Sequence, residues 1–272
     1  MRFLRYVLVL CLSAAAAGYG QVPAAQDLRI YEDYRRWVTM QPVEVQKSAE
    51  VLDAYRKHLT AKGLDAADAE TQIRVIRTQG NSAEIERWNR ILTAEKPRFN
   101  VEPNAFLVEM VKGRKPGKSL DVGMGQGRNA IWLAQQGWDS FGFDPAERAV
   151  AKAQETAKQL GVTISTTVQG AEAFTFGESK WDLIVLSYVS FREHAEAVAR
   201  ALRPGGIVVA EVFHRDATKG SSIGGGVVFD TAEVPSLFRS LRVVRYQEPM
   251  SIADFGQQKV RVVQYCAERP AE

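Results

Sequence analysis

Three glycines at alternating positions are the residues whose spacing most directly suggests chemistry. Gly123, Gly125 and Gly127 follow a short apolar run and precede a helix-like stretch that begins with Ala130. Glycine lacks a Cβ atom, so it adopts positive φ in a tight turn and lets another molecule approach the backbone. A strand, a glycine turn and a helix in this order direct free backbone N–H groups and the positive end of the helix at one point. The pattern predicts a nucleotide-binding turn, with a purely structural turn as the alternative.

The spacing of these glycines distinguishes between kinds of nucleotide turn. A dinucleotide-binding turn needs G-x-G-x-x-G, and Arg128 stands where its third glycine belongs. The turn also lacks the phosphate-loop pattern G-x-x-x-x-G-K-[ST]. Residues 121–127 instead resemble the E/D-x-G-x-G-x-G motif that opens the class I S-adenosylmethionine-dependent methyltransferase domain. A nicotinamide-dependent oxidoreductase is therefore the less favoured interpretation.

A carboxylate follows the glycine turn at a distance suited to binding a ribose. Asp144 lies 17 residues after Gly127, at the end of a second predicted strand at 140–144. A carboxylate at this point can accept hydrogen bonds from both ribose hydroxyls. The same side chain can also cap the helix expected from about residue 146 to 160. The two roles are compatible.

A second glycine motif supports the same resemblance. Residues 202–206 read Leu-Arg-Pro-Gly-Gly and precede a predicted buried strand at 207–211. In class I methyltransferases an L-[KR]-P-G-G turn precedes the fifth strand, and this chain matches it residue for residue. Two more strands are predicted between the motifs. They lie at 162–168, which is β-branched, and at 181–187, which is nearly continuously apolar.

The C-terminal third contains two predicted helix starts and a hairpin. Ser190 with Glu193 forms a capping-box pattern before a helix ending near residue 202, and Asp230 with Glu233 suggests a helix running to about 241. Strands at 242–246 and 260–265 follow, joined by a loop that contains Gly256.

Alternating strands and helices with a terminal hairpin predict an α/β fold. We expect a doubly wound, mostly parallel, seven-stranded sheet of the Rossmann-like methyltransferase type, with an antiparallel C-terminal hairpin strand. The methyltransferase domain is predicted to span residues 100–268. A helical N-terminal extension is predicted at 26–99, with breaks at Gly63 and Gly80, after a signal-peptide-like leader at 1–20.

Two short segments narrow the resemblance to a small-molecule branch that includes tellurite-resistance-type proteins. Catalytic domains of this branch often open with P-N-x-F-L and continue the turn as G-x-G-R-N, as residues 103–107 and 125–129 do. Phe106 and Leu107 are expected to be helix core. Arg128 and Asn129 either cap the following helix or reach the amino acid end of the cofactor.

The resemblance implies S-adenosyl-L-methionine as the cofactor and predicts no particular catalytic residue. The residues it would place against the cofactor are Asp121, Gly123, Met124, Gly125, Gly127, Arg128, Asn129, Asp144, Pro145, Gly170, Ala171 and Leu186. One position departs from the family pattern. Gly170 stands where many relatives carry an acid that binds the adenine amino group, so the backbone of Gly170 and Ala171, or the Glu172 carboxylate, would have to serve instead.

The activity implied is methyl transfer to a small-molecule acceptor by in-line displacement, in which the protein mainly holds the reactants in line. Tyr188, Arg192 and His194 follow the fourth predicted strand, where the carboxyl edge of a parallel sheet holds its ligand. They are candidates to line the acceptor pocket. Arg192 and His194 could equally be solvated helix residues.

Composition argues against two other classes of partner. The formal net charge of +3 comes from interspersed signs and gives no basic stripe for nucleic acid. The two cysteines, Cys11 and Cys266, cannot build a metal site, and the three histidines match no metal-ligand spacing. We therefore expect no metal and no nucleic acid partner.

A leader that directs export conflicts with the use of S-adenosylmethionine as the cofactor. Residues 1–5 are basic, 6–12 apolar and 13–18 small, as in a secretory signal, and the apolar run is shorter than the about 20 residues that span a bilayer. Arg2 and Arg5 favour export of the chain that follows them. The protein would then lie in the periplasm or stay associated with the membrane through an uncleaved leader. S-adenosylmethionine is made in the cytosol. The alternatives are a cytoplasmic protein, a misassigned start, or an exported non-catalytic binding protein with the methyltransferase fold.

We predict that the leader is cleaved after Ala17 or Gly20, because small residues precede both positions. Mass spectrometry of the native N-terminus, combined with cell fractionation, should find a mature chain that begins at Gly18 or Gln21 outside the cytosol. An intact Met1 in the cytosolic fraction would contradict export.

Overall fold

A computed structural model of the chain describes residues 23–271, apart from residues 47, 219–222 and 224. The predicted leader at 1–20 lies outside the described residues. Among the helices that are described, none is both long enough and apolar enough to cross a membrane.

Strands from the whole methyltransferase region form one mixed sheet. In the described residues they are β1 (Lys118–Val122), β2 (Asp139–Asp144), β3 (Ser165–Val168), β4 (Trp181–Ser187), β5 (Leu202–His214), β6 (Val228–Phe229), β7 (Arg242–Gln247), β8 (Met250–Ile252) and β9 (Lys259–Glu268). The main path runs β3-β2-β1-β4-β5-β9-β7, with β9 antiparallel to both of its neighbours. The predicted doubly wound sheet with an antiparallel C-terminal hairpin strand is confirmed.

Two short strands add to the predicted seven. β6 pairs in parallel with the end of β5, and β8 pairs antiparallel with the start of β9. β3 is shorter than the predicted 162–168 strand, since residues 162–164 still belong to the connection from the preceding helix.

The helices form the N-terminal extension or alternate with the strands of the sheet. They are α1 (Ala25–Thr39), α2 (Val43–Gln46), α3 (Val51–Ala61), α4 (Ala66–Leu92), α5 (Ala105–Val111), α6 (Arg128–Gln135), α7 (Glu147–Gln159), α8 (Ala195–Ala201) and α9 (Glu233–Leu237). Successive residues of β4 serve opposite faces: Ile184 and Leu186 pack in one core, and Leu183 and Val185 in the other. This burial on both faces explains why the strand is an unbroken apolar run.

Neither predicted capping box forms fully. Before α8, a 3₁₀ turn at Arg192–His194 starts without any side-chain cap, because its N-cap residue is Phe191, whose side chain has no hydrogen-bond acceptor. Before α9, Glu233 accepts the Asp230 N–H, but the helix ends at Leu237 rather than near 241. The chain then turns to bury Phe238 in the core.

The extension is helical, as expected, but one predicted break is wrong. Gly63 ends the α3 region with a φ of +92°, whereas Gly80 lies inside the continuous helix α4. A Cβ at position 80 would lie 3.4 Å from the Tyr31 ring of α1. This is an ordinary van der Waals distance, so the helix passes through Gly80 despite the low helix propensity of glycine, and the position does not require it.

Candidate functional site

The glycine turn lies at the carboxyl end of β1 and takes the conformation that its sequence requires. Gly123, Gly125 and Gly127 have φ values of +62°, +55° and +79°. The Met124 N–H donates to the Phe143 carbonyl of β2 at 3.0 Å, which fastens the turn to the neighbouring strand. A Cβ on Gly127 would lie 2.8 Å from the Ala153 methyl of α7, so the turn can approach that helix only with glycine there.

Asp144 stands at the end of β2 beside this turn. One carboxylate oxygen accepts the Gly125 N–H at 2.9 Å and the other accepts the Ala146 N–H at 2.8 Å. Burial raises the pKa of this carboxyl, and the two N–H donors oppose the rise. Since an ionised carboxylate offers about four acceptor positions, it can still accept bonds from two hydroxyls. Asp144 does not cap α7, because the N-cap residue of that helix is Ala146 and has no side-chain cap bond. The ribose role stays a prediction.

Asp121, the acid that opens the motif, is fully buried under the turn. It accepts the Ala130 N–H at 3.2 Å, near the start of α6. Burial raises the pKa of Asp121 to about 7, although the Arg128 guanidinium and the Asn129 amide favour its charged form. The site thus holds a carboxyl that titrates near neutral pH.

Arg128 and Asn129 do not cap α6. Gly127 is the N-cap residue there, without a side-chain bond. Arg128 donates to the Asp254 carboxylate at 2.7 Å, and both side chains are under a tenth exposed. Asn129 accepts the Asn104 N–H at 2.9 Å. Both residues therefore fasten other segments to the turn, a role that the sequence did not predict.

A buried polar network continues from this ion pair to the end of β5. The Asn104 amide donates to Asp254 and to Glu211, both at 2.8 Å, while its carbonyl caps α5 by accepting the Leu107 N–H. Glu211 also accepts from the Tyr188 hydroxyl at 2.8 Å and from the Gln264 amide at 2.6 Å. Burial raises the pKa of Glu211, and these donors oppose it. The arrangement places buried carboxyl groups around a single guanidinium.

The N-terminal extension covers the turn from outside. A Cβ on Gly125 would lie 3.2 Å from the Cδ2 atom of Leu92, the last residue of α4. The buried Asn89 accepts the Arg148 N–H at 2.9 Å and donates to Glu147 at 2.9 Å, at the start of α7. A ligand that approached Gly125 from this side would contact the Leu92 side chain.

The remaining predicted cofactor residues lie either near the end of β2 or in the hydrophobic core. Pro145 follows Asp144, and the Gln169 N–H donates to the Asp144 carbonyl, so Gly170 and Ala171 lie near the end of β2. The Glu172 carboxylate lies 2.3 Å from the point where a Cβ on Gly170 would be. An acid therefore lies beside Gly170, where the sequence itself has none. The side chains of Met124 and Leu186 pack into hydrophobic clusters, which leaves their backbone groups for any ligand.

Of the three candidates for an acceptor pocket, only Tyr188 joins the network near the turn. Arg192 instead pairs with Glu233 and lies over the Phe229 ring at 3.8 Å. His194 lies beside the Phe176 ring at 5.8 Å. Arg192 thus stabilises the segment around β6, and its predicted place in the pocket is not supported by these contacts.

Sequence reasoning missed the two acids that organise the network. Glu211 could have been noticed as a charged residue at the carboxyl end of an apolar strand run. Asp254 lies in the loop between β8 and β9 and gave no local signal, because its partners come from positions 100, 104 and 128. Within the described residues no cluster of three or more histidine, cysteine or acidic side chains could hold a metal ion.

Comparison with known proteins agrees with this geometry. Residues 120–206 match the methyltransferase domain family. This part of the chain is therefore similar to S-adenosylmethionine-dependent methyltransferase domains. A probable S-adenosyl-L-methionine-dependent methyltransferase TehB of Haemophilus influenzae is 32% identical over 36% of this chain and 34% of its own length. Ribosomal RNA small subunit methyltransferase C of Alcanivorax borkumensis is 28% identical over 39% of this chain and 36% of its own.

Each match therefore spans about a third of the length of these curated relatives. Among solved structures, TehB of Haemophilus influenzae superposes with a TM-score of 0.53 at 22% identity, covering 61% of this chain and 62% of that one. The N-methyltransferase NodS of Bradyrhizobium japonicum, solved with S-adenosyl-L-homocysteine, gives 0.53 at 20% identity, covering 68% and 98%. These structures share the methyltransferase domain's fold.

Removing one partner of the buried ion pair should cost more than removing both. We expect Arg128→Met to lower the free energy of unfolding by about 3–5 kcal/mol, because Asp254 is left charged and buried. The double variant Arg128→Met/Asp254→Asn should lose clearly less than the sum of the single losses. Urea denaturation measures both, with the exposed pair of Arg200 and Glu196 as a control whose loss should cost about 0.5 kcal/mol or less. Additive losses at 128 and 254 would contradict the coupling.

We predict that the buried Asp121 carboxyl lowers the free energy of unfolding as pH rises. Its folded-state pKa is raised above the unfolded value, so its contribution is fully present below the unfolded pKa and is lost as pH rises through about 7. Asp121→Asn is neutral throughout. Its unfolding free energy relative to the unmodified protein should increase between pH 5 and pH 8 by about 1 kcal/mol or more. Denaturation curves at both pH values test this, and a pH-independent difference would contradict it.

Proposed function

We propose that this protein is an S-adenosylmethionine-dependent methyltransferase that methylates a small molecule by in-line displacement. The observation that carries the proposal is Asp144 standing at the end of β2, 2.9 Å from the N–H of Gly125 in a turn of three positive-φ glycines. The methyltransferase family match and the S-adenosyl-L-homocysteine bound to NodS support the same cofactor.

The residues present suit this cofactor. Asp144 retains acceptor positions for ribose hydroxyls, and Gly125 faces the end of the Leu92 side chain rather than backbone atoms. Asp121 and Glu211 are also buried, with pKa values raised by desolvation. A nearby positive charge would favour their ionised forms, which complements a cationic sulfonium and an ammonium group. When bound, S-adenosylmethionine supplies an activated methyl group on a sulfonium sulfur.

The chain's own contribution is positioning. Arg128 and Asp254 lock the β8–β9 loop against α6, and Tyr188 and Glu211 fix the end of β4 against β5. These contacts hold the carboxyl edge of the sheet rigid, so an acceptor can be kept in line with the donor. An acceptor that ionises by itself needs no protein base, so no catalytic side chain is required by this proposal. The branch resemblance supports a small acceptor.

Asp144→Ala should weaken binding of S-adenosyl-L-homocysteine by roughly 10- to 150-fold, as expected for about 1.5–3 kcal/mol of lost charge-assisted hydrogen bonding. Isothermal titration calorimetry measures this, with circular dichroism to verify folding. Asp182→Ala is the matched control, since that carboxylate bonds the Lys118 N–H and Arg203 at the opposite edge of the sheet. Unchanged affinity in Asp144→Ala would contradict the ribose role, and binding of NAD instead would favour an oxidoreductase.

The small size of the acceptor can be tested separately. Incubation of cell extract with methyl-labelled S-adenosylmethionine and the protein should place the label in the low-molecular-mass fraction. Label confined to protein or nucleic acid would contradict a small-molecule acceptor while leaving the cofactor assignment intact.

A further inference from the structure

A concave cleft outside the glycine turn is lined mainly by cations. It lies between α1, the last turns of α4 and the segment after α4, and has a volume of about 600 Å³. Its charged walls are Arg35, Arg36, Arg87, Arg90, Lys96 and Arg98. Glu32 is the acidic residue among the lining side chains.

The nearby carboxylates do not balance these charges. Glu32 pairs with Arg90 at 2.5 Å, and Asp33 pairs with Arg36 at 3.4 Å. Glu84 is shared between Arg35 at 3.7 Å and Arg87 at 3.2 Å. Three carboxylates thus face four guanidinium groups.

Two further cations add to this excess. Lys96 and Arg98 are exposed, and neither has an ion-pair partner in the part of the chain that the structure describes. The cleft therefore carries an excess of about three positive charges. Concave walls of one sign concentrate counter-ions more strongly than a flat surface does.

The shape and chemistry of the cleft indicate a small ligand. Its volume lies within the range of about 300–1,000 Å³ typical of small-molecule sites. Ile91 and Ala94 supply an apolar part of the wall, and Thr39 lies beside them. Planar guanidinium groups bind phosphate oxygens in a bidentate fashion, and several of them together suit a multiply charged anion better than a single carboxylate.

We propose that this cleft binds a small ligand carrying phosphate groups, at a site distinct from the glycine turn. The end of α4 separates the two places. Leu92 is directed at Gly125, whereas Ile91 and Ala94 line the cleft. The proposal does not depend on the methyltransferase activity.

Inorganic pyrophosphate is the probe for a calorimetric test on the whole chain at low ionic strength. The variant Lys96→Gln/Arg98→Gln removes the two cations that form no ion pair within the described residues, so the fold should be preserved. We expect its pyrophosphate affinity to fall about 10-fold or more, and affinity for the unmodified protein to fall with added salt. S-adenosyl-L-homocysteine affinity should be unchanged, which separates this test from that of the proposed function.

Lys112→Gln/Lys115→Gln is the matched control. It removes the same charge from exposed residues just before β1, at the sheet edge opposite the glycine turn. This variant should bind pyrophosphate normally. An equal loss in both double variants, or no binding of either pyrophosphate or anionic vesicles, would overturn the proposal.

The source of the phosphate can be distinguished with vesicles. Binding to phosphatidylglycerol vesicles but not to phosphatidylcholine vesicles, lost with Lys96→Gln/Arg98→Gln, would identify a lipid headgroup as the source. Pyrophosphate binding without vesicle binding would identify a free phosphate compound. Vesicle binding that is unaffected by the double variant, together with no pyrophosphate binding, would overturn the site.

Discussion

The buried pairing of Arg128 with Asp254 is the interaction on which the carboxyl edge of the sheet depends. A guanidinium and a carboxylate under a tenth exposed are costly to desolvate, so each requires the other. Arg128 begins α6 and Asp254 belongs to the loop before β9, so one contact joins the first and last parts of the sheet. Asn100 and Asn104 add their amides to the same carboxylate. The segment that enters the domain is thereby fixed as well.

This pairing leaves other buried acids without a cation of their own. Asp121, Asp144 and Glu211 are held by N–H, amide and hydroxyl donors, and burial raises the pKa of each. Hydrogen bonds stabilise these groups, yet they do not neutralise charge. An acidic interior of this kind resists ionisation until a cation enters. The electrostatics therefore agree with the proposed cofactor without depending on any single contact to it.

Local motifs predicted the fold because strand, turn and helix signals depend on neighbours in sequence. The three glycines, Asp144 and the Leu-Arg-Pro-Gly-Gly motif are of this kind, and the doubly wound sheet with its antiparallel C-terminal strand was predicted from them. The candidate site was predicted only where it is local. Asp254 and Asn89 act through partners at distant positions in the sequence, and Gly80 was wrongly predicted as a break because α4 continues through it despite the low helix propensity of glycine.

The α4 helix sets how a ligand can reach the turn. Lifting its end would break both bonds of the buried Asn89 and the paired contacts between Arg148 and Glu86. Leaving such buried groups unpaired costs about 1–3 kcal/mol each. Rotating Leu92 away from Gly125 requires only a side-chain change, which costs about 0.5–1.5 kcal/mol even for a strained χ angle. Access by side-chain rotation is thus cheaper than opening the helix, and α4 can stay in place as the wall between the turn and the basic cleft.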